Sequence, residues 1–358
     1  MNDGAKWLVD LKKINCKIMK ENKQFFIGMD VSKLWFDVSL MIVINHQKQA
    51  IITQRFNNTV QGIQGLHQWL QQHLVCFNEN SIIVIENTGV YHRLIWQYCS
   101  KHNLPLHIGN AAAIKWSLGI TRGKNDKIDS QRLCMYAVRQ AGELKATPAL
   151  NPVFIQLKDL MTARTRLVRQ LHSIKTYLKE LHSGPETSML KMIEQSHKQA
   201  IDGIKKSIHK IEEHMAGIVE NNAAIKRNYE LLLTVPGIGH FTAVYLICCT
   251  NNFVAKHTGK QLASYAGVVP FDYSSGTSIK GKNRVHKMAN KDLKKMLHLC
   301  ALTVIKCYPE FTDYFNRKKA EGKNGMSILN AVKNKLILRA VAVVNKQTPY
   351  VDYTKQAA

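Results

Sequence analysis

The chain has 358 residues, of which 45% are hydrophobic, enough for two or three domains with their own cores and too apolar for a disordered polymer. Lys and Arg number 50 against 25 acids, a formal +25 with a pI near 9.7, which points to a polyanionic partner. Nucleic acid comes before a membrane surface, because the basic residues are not gathered into one amphipathic helix or terminal block and no apolar run reaches the roughly 18 residues of a membrane span.

Residues 1–23 read as a basic tail. WLVDLKKINCKIMK carries charges where a signal peptide needs an apolar stretch. The eight cysteines form no CxxC pair, and no His cluster has zinc spacing; together these features predict reduced thiols in a cytoplasmic protein. Residues 24–34, 34–45 and 50–56 are rich in β-branched and aromatic side chains and predict a three-stranded antiparallel meander. Residues 58–75 predict a helix with Ile63, Leu66, Trp69, Leu70 and Leu74 on one stripe. SIIVI at 81–85 reads as a buried strand ended by Glu86, 90–101 as a helix, 104–110 as a strand and 111–118 as a helix. The order β-β-β-α-β-α-β-α, followed by a further helix near Asp126, is that of a ribonuclease-H-like mixed sheet.

The acids fall at informative places in that order. Asp30 ends the first strand and Glu86 the fourth, where an ion is costly unless paired or metal-bound. Asp126 and Asp129 lie three apart in GITRGKNDKIDS and share one helix face. Each acid alone reads as a solvated strand end or as a helix-start acid near the positive dipole end. Taken together, the four predict a site for Mg²⁺, one or two ions with Mn²⁺ as a substitute, suited to in-line displacement at phosphorus. Arg122, Lys124 and Lys127 around the pair suit a phosphate backbone.

Beyond Pro148 the pattern changes. Leu157, Leu160, Met161, Leu167, Leu171, Ile174, Leu178 and Leu181 recur at helical spacing. After a Gly-Pro break, Ile201, Ile204, Ile208, Ile211, Met215 and Ile218 do the same. The two stretches predict an antiparallel helical hairpin with a coiled-coil seam, packing on itself or on a second copy. VPGIG at 235–239 matches a helix-hairpin-helix turn, whose Gly237 and Gly239 would free amides for a phosphate; it reads equally as a packing turn. AGVVPFDYSSGTSIKGKNRVHKMAN at 266–290 alternates small hydroxyl residues with Lys280, Lys282, Arg284, His286 and Lys287. It reads as a phosphate-contacting loop or, more sharply, as one that presents a nucleophilic hydroxyl.

GMDVSK around Asp30, VIENTGVY around Glu86, GKNDKIDS around Asp126 and Asp129, VPGIG and the serine-rich loop follow in this order over nearly the whole chain. In this the chain resembles the DEDD transposases of bacterial insertion sequences, the group that includes the Piv and MooV invertases. The resemblance implies a tail at 1–23 and a RuvC-like domain at 24–147, whose Asp30, Glu86, Asp126 and Asp129 bind Mg²⁺. A helical hairpin would follow at 148–228, then a mainly α transposase domain at 229–345 and a tail at 346–358. It further implies that Ser275 attacks DNA to form a phosphoserine bond, with Ser274 and Ser278 as other registers. The metal and the serine would form a composite centre assembled between subunits of a homo-oligomer. In some members a non-coding RNA guides the choice of DNA, and such an RNA is the second partner the resemblance suggests. A junction nuclease using metal-activated water and a non-enzymatic nucleic-acid-binding protein are the competing readings. Ser130 departs from the small apolar residue expected after the last acid.

Overall fold

The computed structural model describes residues 23–78, 80–119, 125–149, 151–184, 188–255, 258–271, 274–275, 279–281, 285 and 288–351. They divide into two compact units, Met1–Leu150 and Asn151–Ala358.

The first unit is a mixed sheet between helices. β1 (Lys23–Val31) pairs antiparallel with β2 (Trp35–Ile44), whose outer edge carries first the short β3 (Gln47–Lys48) and then β4 (Ile52–Asn57). On its other side β1 runs parallel to β5 (Ser81–Glu86), and β5 parallel to β6 (Leu106–Gly109). The predicted meander and its parallel extension are thus observed, with β3 as an addition that the sequence pattern does not disclose.

Period-two alternation puts apolar residues on both faces of the sheet. Phe25, Ile27, Met29 and Val31 of β1 join Ile83 and Ile85 of β5 in a core that is closed by α1 (Val60–Gln72) and α2 (Arg93–Lys101). Phe26 and Val84 point the other way, into a core closed by α3 (Ala111–Leu118) and α4 (Asp126–Arg139). Asp30 and Glu86 share the parity of Phe26 and Val84, so they belong to the α4 face. Two predictions need correction. Leu74 is not on the buried stripe; α1 ends at Gln72, and Leu74 takes φ 55° with 75% exposure. The second helix begins at Arg93 rather than Val90, because Thr88–His92 turns on a hydrogen bond from the Thr88 amide to His92 Nδ1.

The second unit begins with α5 (Pro152–Leu181) and α6 (Ser188–Glu220), each about 45–50 Å long at 1.5 Å per residue. They are antiparallel. His182 meets Glu194 near the turn, Arg164 Nε donates to Glu212 Oε1 at 2.6 Å, and Phe154 and Leu157 share a core with Met215 and Val219 at the base. The apolar seam named from spacing is half-buried along most of its length, as two helices alone would leave it.

The same basal core continues into α7 (Ala223–Leu233), α8 (His240–Cys249) and α9 (Gly259–Tyr265), and into α10 (Lys291–Cys307) and α12 (Gly325–Lys346). α11 (Pro309–Ala320) packs Phe311 in a core with Val304 and Leu336. Its polar composition hides a narrow apolar stripe. α9 starts at Gly259, where Thr258 forms a capping box with Gln261. No helix among the described residues is long and apolar enough to cross a membrane.

Candidate active site

The sheet's carboxyl edge and the first turn of α4 hold the acids. Asp30 lies one residue from the end of β1, and Glu86 is the last residue of β5, the position that follows the Met29↔Ile85 pair. The two therefore stand side by side on adjacent parallel strands. Asn125 caps α4 with its Oδ1 accepting from the Ile128 amide at 2.7 Å, which starts the helix at Asp126. Gly28 is what lets that helix come close: a Cβ there would lie 2.1 Å from the Cys134 amide nitrogen.

Electrostatics report the result. Burial, then the charges of Asp129, Asp126, Glu86 and Asp37, push the Asp30 carboxyl up to about 6. The three other acids selected from the sequence thus all act on Asp30, joined by a fifth. Asp37 lies opposite Asp30 in the β1–β2 register and is 4% exposed.

Asp37 is neutralised by its β4 partner. Arg55 forks onto it, Nε to Oδ1 at 3.1 Å and Nη2 to Oδ2 at 2.7 Å. The same guanidinium lies 5.1 Å from the Trp35 ring and 3.4 Å from Asp126 Oδ2, which also accepts from Trp35 Nε1 at 3.2 Å. Asp129 accepts from Arg132 Nη1 at 2.8 Å. Sequence reasoning missed Asp37, Arg55 and Trp35; the signal was an acid set between Phe36 and Val38 in a largely apolar strand. Ser130, the departure from the expected apolar residue, is fully buried and bonded to Ser39 Oγ at 2.8 Å. A second hydroxyl on β2 therefore answers the first.

The donor set suits a hard divalent cation. It offers carboxylate oxygens in excess of local positive charge, which adds to burial in making Asp30 resist ionisation. Among the described residues, however, no three such side chains already form a metal cage. The oxygens of Asp126 and Asp129 are turned toward Trp35, Arg55 and Arg132.

The other selected residues lie elsewhere. Lys127 is exposed on α4. Arg122, Lys124, Lys282 and Arg284 lie outside the described residues, as does Ser278. Ser275 and Lys280 belong to a two-stranded ribbon, β7 (Ser274–Ser275) with β8 (Ile279–Lys280), in which Ser275 pairs with Ile279 and Ser274 with Lys280. The ends of this segment are tied together. Gly267 at φ 64° abuts Ala289, and Asn290 bonds both Tyr265 and Tyr245. Gly237, at φ 76°, packs its Cα against Val304 and the Cys300 carbonyl of α10, and Gly239 is the N-cap of α8.

Two family models match this chain. One, a transposase model of the IS110 DEDD type, covers residues 27–184, and one for the transposase IS116/IS110/IS902 family covers 229–316. The chain is similar to the pilin gene-inverting protein of Moraxella bovis, at 28% identity over 91% of this chain and 97% of that one. It is similar to its Moraxella lacunata counterpart at 29% over the same shares. The transposase for insertion sequence element IS1328 of Yersinia enterocolitica matches at 24% identity, over 64% of this chain and 75% of its own length.

Proposed function

The chain belongs to the IS110-type DEDD transposases and is a DNA transposase or recombinase, and from that premise we propose that it cuts and rejoins DNA with a carboxylate site and a serine nucleophile. Asp30, Glu86, Asp126 and Asp129 would hold one or two Mg²⁺ ions, with Mn²⁺ able to replace them. Ser275 would be the nucleophile. The observation that carries this reading is the convergence of Asp30, Glu86 and Asp37 at one sheet edge with Asp126 and Asp129 on the first turn of α4, near enough that each adds to the rise of the Asp30 pKa. Natural selection for stability alone would not gather five carboxyl groups at one sheet edge and the helix turn above it, because their repulsion destabilises the fold until a cation or an arginine offsets it.

A bound Mg²⁺ would supply charge neutralisation for the phosphate. The remaining work falls to the chain. Ser275 Oγ forms a bond to phosphorus, one bridging P–O bond breaks, and the departing strand end takes up the proton released from serine by way of solvent. The covalent bond conserves the phosphodiester's energy, so a hydroxyl from another strand can reverse the step and complete the exchange. Lys127, Lys280, Lys282, Arg284, Arg122 and Lys124 would contact backbone phosphates. The VPGIG turn, with Gly239 at an N-terminus that carries no side-chain cap, would act as a helix-hairpin-helix phosphate contact. The long α5–α6 hairpin, half-buried along its seam, would join copies of the chain in a homo-oligomer within the cytoplasm. A guide RNA is the further partner that this family reading suggests, and the net charge of +25 accommodates it.

Trapping tests the reading. Full-length protein incubated with DNA bearing its element's ends and Mg²⁺ should leave a denaturant-resistant adduct. Ser275→Ala abolishes that adduct, and Asp126→Ala does so as well. Cleavage without an adduct, surviving Ser275→Ala, would instead identify a nuclease that uses activated water. Nuclease digestion and sequencing of RNA that co-purifies with the protein decides whether a guide is bound.

A further inference from the structure

Arg55 stands out among residues that the carboxylate site does not already use. It is the charged partner of a buried acid, yet its own side chain is 51% exposed while that of Asp37 is 5% exposed. The guanidinium thus keeps much of its hydration and stands at the lip of the site. Its position is fixed from three directions. The cross-strand register sets Arg55 opposite Asp37, the fork takes up Nε and Nη2, and the Trp35 ring lies 5.1 Å from its carbon. Nη2 then lies 3.4 Å from Asp126 Oδ2, itself on a side chain that is 47% exposed. With Nε and Nη2 engaged on Asp37, Nη1 is the donor left for an incoming phosphate, and a preorganised, half-solvated guanidinium beside an acid cluster suits that charge-assisted contact.

We propose that Arg55 contacts a phosphate of the nucleic-acid strand that enters the acid cluster, beside the carboxylates and not merely beneath them. The proposal rests on the carboxylate reading above, since with no cation the acids repel a phosphate and Arg55 has none to meet. The consequence is a linkage: Arg55 contributes to DNA affinity only when a divalent cation is present.

The probe is a fluorescein-labelled four-way junction built from synthetic oligonucleotides, with binding measured in EDTA and in Ca²⁺ at fixed ionic strength. The test variant is full-length Asp37→Asn with Arg55→Gln, which removes both charges together and leaves no unpaired buried carboxylate. Arg55→Lys serves as a second variant that keeps the charge and loses the fork. Wild type should tighten about tenfold on adding Ca²⁺ and the double variant by less than about threefold, with a salt slope in Ca²⁺ lower by about one. Arg55→Lys should fall between them, and all three should agree within about twofold in EDTA. A double variant that gains as much from Ca²⁺ as wild type would reduce Arg55 to the counter-ion of Asp37. A double variant that no longer binds Ca²⁺ itself, read by calorimetry without DNA, would make it a positioning residue for Asp126, and the phosphate contact would be wrong. Wild type that binds no Ca²⁺ at all would remove the carboxylate reading, and this proposal with it.

Discussion

Gly28 and Cys134 meet backbone to backbone: a methyl group on Gly28 would sit 2.1 Å from the Cys134 amide nitrogen and 2.4 Å from the Ser130 carbonyl oxygen. That contact sets how far the first turn of α4 lies above β1, and so whether Asp126 and Asp129 can act on Asp30. The obstacle is backbone on both sides and cannot rotate away. Gly28→Ala should therefore cost about 3 kcal/mol or more of stability. Denaturant titration of the full chain reads the stability, and calorimetry with Mn²⁺ reads an accompanying loss of metal binding in whatever fraction remains folded.

Asp30 makes stability depend on pH. The folded chain holds its carboxyl at about 6, against an ordinary value of 3.8, so the folded state binds that proton more tightly than the unfolded one. The favourable contribution is complete at low pH and is lost as pH rises through about 6. In EDTA, Asp30→Asn should raise the melting temperature at pH 7.5 and leave it unchanged near pH 4. Mg²⁺ should stabilise wild type above pH 6 and fail to stabilise the variant.

Asn125 holds the acidic turn. Replacing its cap on the Ile128 amide, as in Asn125→Ala, should cost about 1 kcal/mol. It should also weaken divalent-ion binding, because the turn bearing Asp126 and Asp129 frays. Asn125→Asp keeps the cap and should restore stability, which separates the cap from the amide group itself.

Lys333 is 2% exposed and bonded only to Asn330 Oδ1 at 3.0 Å among the contacts described, and burial followed by the charge of Lys294 lowers its pKa. The unfolded chain then binds this proton more tightly. The contribution of Lys333 to stability should accordingly rise as pH climbs toward 10.5, the ordinary lysine value, and is read as the difference between wild type and Lys333→Met. Lys333→Met should lack that rise and should melt higher than wild type at pH 7, as thermal scans across pH will show.

Asn290 joins the α10 cap to the serine segment. Its Oδ1 accepts from the Leu293 amide at 2.9 Å and from the Tyr245 hydroxyl at 3.0 Å, and its Nδ2 donates to the Tyr265 hydroxyl at 2.9 Å. Burial pushes the Tyr245 phenol up to about 12, which keeps it a donor. Asn290→Ala should cost about 2 kcal/mol, from a lost cap and the half-buried Tyr245 hydroxyl left without its acceptor. Asn290→Ser should recover the cap alone and lose both tyrosine bonds. Chemical denaturation of the three proteins resolves the two contributions.

The sequence by itself determined the element order of the first unit, the placing of Asp30 and Glu86 at strand ends and of Asp126 and Asp129 on one helical turn, and the pairing of two long helices. Each of these is written in local signals: alternation of period two, recurrence of period 3.6, and an acid that interrupts an apolar run. Only the tertiary structure decided that Asp37 faces Asp30, that Arg55 and Trp35 reach Asp126, that Ser39 satisfies Ser130, and that Gly28 exists to admit α4. Gly237 likewise answers to α10, some sixty residues further along the chain, and not only to its own turn. These relationships depend on strand register and on the closeness of one backbone to another, which arise from packing between segments distant in the chain. No window of neighbouring residues carries that information.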